Sequence, residues 1–277
     1  MTKTTLRVTG PYSSGLILVF WALMAVGCAE PDTESEVVNS APQPAVKVEI
    51  IATGAEIAGA NGMALGPDGL LYVASVLGSS ITALDPESGA VQRIYRESEG
   101  VIGPDDIAFS SDGAWYWTSI MTGEVAGFDV SGNKVIAANL TPGVNPLTFS
   151  DDGRLFVSQC FFGVNLYEVD PAGVVDARLI SDTLGPGCGL NGMDWGPDGR
   201  LYGPRWFQNE VVSFDVDTGS MRTEATGFNT PAAVKFDAAG RLHVLDTGTG
   251  ELFRMQGSAR ELVARFAPGL DNFEIDP

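Results

Sequence analysis

Residues 190–205 read LNGMDWGPDGRLYGPR. Apolar Met193 and Trp195 stand at alternate positions, Pro197-Asp198-Gly199 offers a turn in which proline presets φ and glycine accepts a positive one, and a second apolar run begins at Leu201. This predicts two antiparallel strands joined by a tight turn, with the polar Asn191 at the entrance. The pattern returns as NGMALGPDGLLYVAS from Asn61, DDIAFSSDGAWYWTS from Asp105, NPLTFSDDGRLFVSQ from Asn145, AAVKFDAAGRLHVLD from Ala232 and DNFEIDP from Asp271. Six entrances at 61, 105, 145, 191, 232 and 271 have separations of 44, 40, 46, 41 and 39. A period near forty residues with several strand signals per repeat indicates propeller blades.

The expected fold is therefore all-β, a six-bladed β-propeller. Further strands such as ITALD, VQRIY, EVVSFDV and MRTEAT follow the hairpins, separated by Asp- and Gly-containing turns, and predict four strands per blade. The run VKVEIIA, residues 46–52, precedes the first hairpin and is expected to complete the last blade from the other end of the chain, removing a sheet edge. The sixth copy stops at Pro277, where its sisters place their turn, so the last blade is expected to be incomplete and the propeller domain, 46–277, to be truncated at its C-terminal end.

Composition limits the functions available. The 277 residues carry 16 Lys and Arg against 35 Asp and Glu, a net charge of -19 that repels phosphate backbones and anionic membranes, so nucleic-acid binding is not expected. Lys3 and Arg7 precede an apolar run over 16–26, too short to span a bilayer comfortably and of signal-peptide length. Cys28 follows small residues as in a bacterial lipobox, with Ala25 where leucine is usual. The expected organisation is a lipoprotein signal at 1–27, lipidation at Cys28, an acidic Pro-containing tether at 28–45, and a monomeric exported domain whose only membrane attachment is the lipid, in the periplasm or on the cell surface of a bacterium.

In a propeller the first strands of the blades surround a channel, so equivalent positions lie on one circle. Asn61, Asp105, Asn145, Asn191 and Asp271 are such positions, with Ala232 as the exception and with Asp106 and Asn272 immediately beside Asp105 and Asp271. A circle of hard oxygen donors suits Ca²⁺, while Asn and Asp also cap tight turns; both readings stand. The second strand of each hairpin returns to the same mouth, bringing Gln159 and Arg205 and the loops with Phe161, Phe162, Trp206 and Phe207. These aromatics would line a substrate or pack between blades, and Arg205 would orient an anionic group or pair with an acid. Cys160 and Cys188 fall at the same mouth of adjacent blades, where an exported protein can form a disulfide. Asp194, Lys235 and Glu274 occupy equivalent inner positions and predict a structural charge network. His243 replaces an aromatic of the sister blades and is expected to pack.

The Asn-Gly pairs of NGMALGPDG and NGMDWGPDG, together with Asp271-Asn272, resemble the senescence marker protein, gluconolactonase and luciferin-regenerating enzyme family, related to the paraoxonases. The resemblance covers residues 61–277 and implies a six-bladed propeller with Ca²⁺ at the channel mouth that hydrolyses lactones, related esters or organophosphates. Two departures stand out: Asn61 replaces the family's first-blade glutamate, and the histidine dyad of paraoxonases is missing. Carboxylates Asp105 and Asp271 are the expected catalytic groups, and a small molecule the expected partner. A non-catalytic binding propeller with a structural Ca²⁺ is the competing expectation.

Overall fold

The computed structural model describes residues 47–276 and, as backbone alone, residues 4–9 and 16–20. The chain is an all-β propeller. Five blades are each formed by four consecutive antiparallel strands. Their inner strands are Ala60–Leu65, Pro104–Phe109, Val144–Phe149, the short Asp194–Trp195, and Pro231–Phe236. Within each of the first three blades the inner two strands are almost wholly buried, whereas outer strands such as Val91–Arg96 and Lys134–Asn139 are largely exposed. The predicted hairpins are all present, for example Ala60–Leu65 with Leu71–Ser75 and Pro104–Phe109 with Trp115–Ser119.

The number of blades built wholly from the repeats is five rather than six. The sixth copy supplies one strand, Leu270–Ile275, which touches the inner strands on both sides, Pro231–Phe236 and Ala60–Leu65. It belongs to a sheet of mixed origin, in the order Leu270–Ile275, Leu16–Phe20, Thr4–Thr9, Lys47–Thr53. The N-terminal run thus joins the last sheet, as expected, but the middle places expected to lack sequence are held by two strands from the beginning of the chain. The physical reason is the row of unpaired backbone groups that Leu270–Ile275 would otherwise expose, a template for any extended segment within reach. Cys28, the tether and most of the expected signal sequence lie outside the described residues.

Each apolar cluster lies between neighbouring sheets, which is why no blade would be stable alone. Tyr72 and Ile81 of the first blade meet Ile107, Trp115 and Trp117 of the second. Phe156 and Leu166 of the third meet Leu190, Met193 and Val212 of the fourth, and Ala233 and Leu245 of the fifth meet Leu270 and Phe273. Ile51 and Ala52 pack against the first blade's Met63 and Leu71. Turn aspartates fix the hairpin tips: Asp68 accepts from Leu70 N–H and the Tyr72 hydroxyl, and Asp198 repeats the tyrosine contact with Tyr202, both at 3.0 Å. Among the described residues no helix is long and apolar enough to cross a membrane.

Candidate functional site

The inner strands share a local irregularity at the entrance residues. Pairing with the second strand slips between Ala60 and Met63, Pro104 and Ile107, Val144 and Leu147, and Pro231 and Ala233. Such a bulge interrupts the two-residue alternation and re-aims side chains. Here it lets consecutive residues, Asp105-Asp106 and Asp271-Asn272, both be buried at the channel. The glycine after Asn61 belongs to the same arrangement, since a Cβ on Gly62 would lie 2.7 Å from the Asp105 carbonyl and closer still to the Asp106 carboxylate.

Asn61, Asp105, Asn145, Asn191, Asp271 and Asn272 are all buried. The Asn61 amide donates to Asp105 Oδ2 at 3.3 Å, and the Asn191 amide to Asp271 Oδ1 at 3.5 Å. Asp105 Oδ1 has no hydrogen-bond partner. Burial, and then the charges of Asp271 and Asp106, push the Asp105 carboxyl well above its usual range. Among the described residues no three His, Cys, Asp or Glu side chains gather at metal-binding spacing, so a cation here would draw on asparagine amide oxygens beside Asp105 and Asp271.

A second set of charges lies further along the same strands. Lys235 Nζ is 3.5 Å from Glu274 Oε2, and Asp194 and Asp106 also act on it. Burial opposes its charge, yet these carboxylates hold the ammonium above its ordinary value. Asp106 and Asp194 are pushed up to about 6 by burial, against the pull of Lys235. Asp194 Oδ2 accepts from Phe236 N–H at 2.7 Å, and Asp106 accepts from Leu147 N–H at 3.2 Å and the Asn272 amide at 3.4 Å. The charge network expected of Asp194, Lys235 and Glu274 is present, and Asp106, read from the sequence only as a neighbour of the ring, is a further member. Its signal was the doubled aspartate, which makes sense in a strand only with a bulge.

The second strands end where the ring begins: Ser75 stands opposite Ala60, Ser119 opposite Pro104, Gln159 opposite Val144 and Asp246 opposite Pro231. Beyond them run the loops with exposed Leu77, Met121, Phe161, Phe162 and Phe207. Phe161 meets Trp206 edge to face at 6.2 Å between ring centres, and Trp206 stacks on Phe207 at 6.3 Å. Cys160 and Cys188 face each other across an isolated antiparallel bridge and are joined by a disulfide. Two expected substrate contacts have other partners. Arg205 pairs with Glu210 at 2.6 Å and donates to the Leu184 carbonyl at 3.0 Å. The Gln159 amide nitrogen donates to Thr141 and Pro142, while its Oε1 is buried with no hydrogen-bond partner. His243 is buried, its Nδ1 3.1 Å from the Arg241 carbonyl, and burial pulls it below its ordinary value, so it packs as a neutral ring.

Among solved structures the chain is similar to virginiamycin B lyase from Staphylococcus aureus, with a TM-score of 0.62, 11% identity, and 76% of this chain and 71% of that one covered. It is also similar to a gluconolactonase from Xanthomonas campestris, with a TM-score of 0.63, 16% identity, and 76% and 77% covered. A chain of the nidogen/laminin complex matches at a TM-score of 0.68 and 15% identity over 99% and 97%. The shared property is the propeller. No family model and no curated protein matches the chain.

Proposed function

We propose that this chain is a metal-dependent hydrolase of lactones or related esters on a β-propeller, exported as a lipoprotein anchored through Cys28, whose maturation would remove residues 1–27 and with them the two middle strands of the last sheet. The observation that carries the proposal is Asp105: a buried carboxylate with one unpartnered oxygen, facing Asp271 and Asp106, with no positive group among the influences on it. Carboxylates gathered this way are relieved by a hard cation, and Asn61, Asn145, Asn191 and Asp271 supply the oxygen donors that Ca²⁺ takes. The propeller shared with a gluconolactonase is consistent with this reading.

When bound, the cation would polarise the substrate's carbonyl oxygen. The chain's own residues do the rest. The unpartnered Oδ1 of Asp105, ionised beside the cation, would take a proton from the attacking water, and the amides of Asn61 and Asn191 fix the rotamers of Asp105 and Asp271. Asp106, pinned by Leu147 N–H and Asn272, holds the neighbouring backbone so that these side chains keep their aim.

A binding propeller without catalysis is the second reading, favoured by the nearly full-length likeness to a chain of the nidogen/laminin complex. Thermal unfolding with and without Ca²⁺, together with a lactone panel with and without chelator, separates the two. At a hundred times its Kd, Ca²⁺ stabilises the folded state by about 2.7 kcal/mol. Asp105→Asn and Asp271→Asn should each lose most of that gain and the chelator-sensitive hydrolysis. Stabilisation without hydrolysis supports the binding reading; a Ca²⁺ shift unchanged in both variants makes the ring residues turn caps.

A further inference from the structure

Phe161 has a backbone conformation that a bulky residue rarely adopts. Its φ is 65°, in the left-handed region, where an L side chain crowds the following carbonyl. The neighbouring contacts enforce this conformation. Phe161 N–H donates to the Gly187 carbonyl at 2.8 Å, Phe162 N–H to the Cys160 carbonyl at 2.7 Å, and Cys160 N–H to the Gly143 carbonyl at 2.7 Å. The disulfide to Cys188 then ties the loop to the fourth blade's approach, three residues before Asn191. The strained backbone does not serve to bury the ring: Phe161 remains 45% exposed, beside Phe207 at 54%. What it achieves is the edge-to-face meeting with Trp206, making one continuous aromatic wall from two blades. Persistent strain in a conformer that the surroundings over-determine belongs to sites where position matters.

The wall adjoins the ring. Gly143, which receives Cys160 N–H, lies two residues before Asn145, and Asn191 N–H donates to the Pro204 carbonyl, two residues before Trp206. Among the described residues no free cation stands there to receive an anionic ligand, because the Arg205 guanidinium is taken by Glu210 and the Leu184 carbonyl.

From this geometry we infer that Phe161, Trp206 and Phe207 form a disulfide-held subsite for the apolar arm, alkyl or aryl, of a neutral ester or lactone whose carbonyl end lies at the ring. The inference deepens the hydrolase reading and rests on it for the carbonyl end; the subsite itself is a binding surface and can be read separately. Polyhydroxylated lactones would leave the aromatic wall wet and gain nothing from it.

The experiment uses δ-valerolactones carrying 5-alkyl chains from methyl to heptyl, with glucono-δ-lactone for comparison. In the oxidised full chain kcat/KM should rise about two- to fourfold per methylene until the wall is covered, the gain expected for a buried CH₂. The Phe161→Ser/Trp206→Ser double variant should flatten that slope, Phe161→Leu should restore part of it, and Cys160→Ser/Cys188→Ser should weaken it by letting residue 161 relax. Val174→Ser, at an exposed turn, is the control and should leave the slope unchanged. A slope retained in the Phe161→Ser/Trp206→Ser protein overturns the subsite while leaving the hydrolase reading intact. If no lactone is hydrolysed, that reading fails, and calorimetric titration with the same alkyl lactones tests the subsite alone. Affinity that grows with chain length and is lost in the double variant supports it, and affinity independent of chain length overturns it.

Discussion

Replacing Lys235 by methionine removes a buried charge while keeping most of the side-chain volume. Lys235 is the cation that acts on Asp106 and Asp194 among the described residues, and its ammonium lies 3.5 Å from Glu274. Truncating one member of a buried ionic group destabilises by about 3–5 kcal/mol, because the others are left without compensation. The pH dependence distinguishes this cause from lost packing. Asp106 and Asp194 are raised from 3.8 to about 6, so the folded protein binds their protons more tightly than the unfolded chain does. Their contribution to stability is therefore present below the ordinary value and is lost as pH rises through about 6; a shift of two units is worth roughly 3 kcal/mol per group. Without Lys235 both carboxyls rise further, and protons take over what the ammonium did. The destabilisation should accordingly be largest at pH 8 and much smaller at pH 5, measured by urea unfolding followed through tryptophan fluorescence. The Lys235→Met/Glu274→Gln double variant should recover part of the loss at pH 8. Equal destabilisation at the two pH values would refute the reasoning, since it would mean that the carboxylates do not sense the ammonium.

Phe161→Gly should be more stable than Phe161→Ala by about 1 kcal/mol in thermal unfolding, because only glycine enters the left-handed region without steric conflict; an alanine variant as stable as the glycine one removes the strain argument. Cys28→Ser should abolish incorporation of labelled palmitate in a bacterial host and release the protein from membranes, and a variant that still takes up label rules out Cys28 as the anchor.

Much of the fold could be read from the hairpins, because a turn such as Gly196-Pro197-Asp198-Gly199 and the alternation around it act locally and recur in five of the six copies. The ring was legible for the same reason: Asn61, Asp105, Asn145, Asn191 and Asp271 stand at one offset from their turns. The bulge was not, since a slip in pairing depends on the partner strand, and with it went the role of Asp106. The fate of Arg205 was partly hidden. The Leu184 carbonyl comes from a loop whose approach no local spacing encodes, whereas Glu210, directly opposite Arg205 across the next hairpin, was within reach of the strand pattern. The composite last sheet escaped because the 16–26 run, read on its own, has the length and apolarity of a targeting segment, and nothing in it names Leu270–Ile275 as a neighbour.

That sheet also orders events in time. Within the five blades every strand pairs with one made a few residues earlier, and neighbouring blades are consecutive, so most of the molecule can assemble in step with synthesis. The exception is the join, where Lys47–Thr53 and Leu270–Ile275, about 220 residues apart, enter one sheet. Asn191 cannot meet Asp271, nor Lys235 meet Glu274, until Leu270–Ile275 has docked. Without that strand one blade face at each end of the repeats is left uncovered, and the polar centre lacks Asp271 and Glu274.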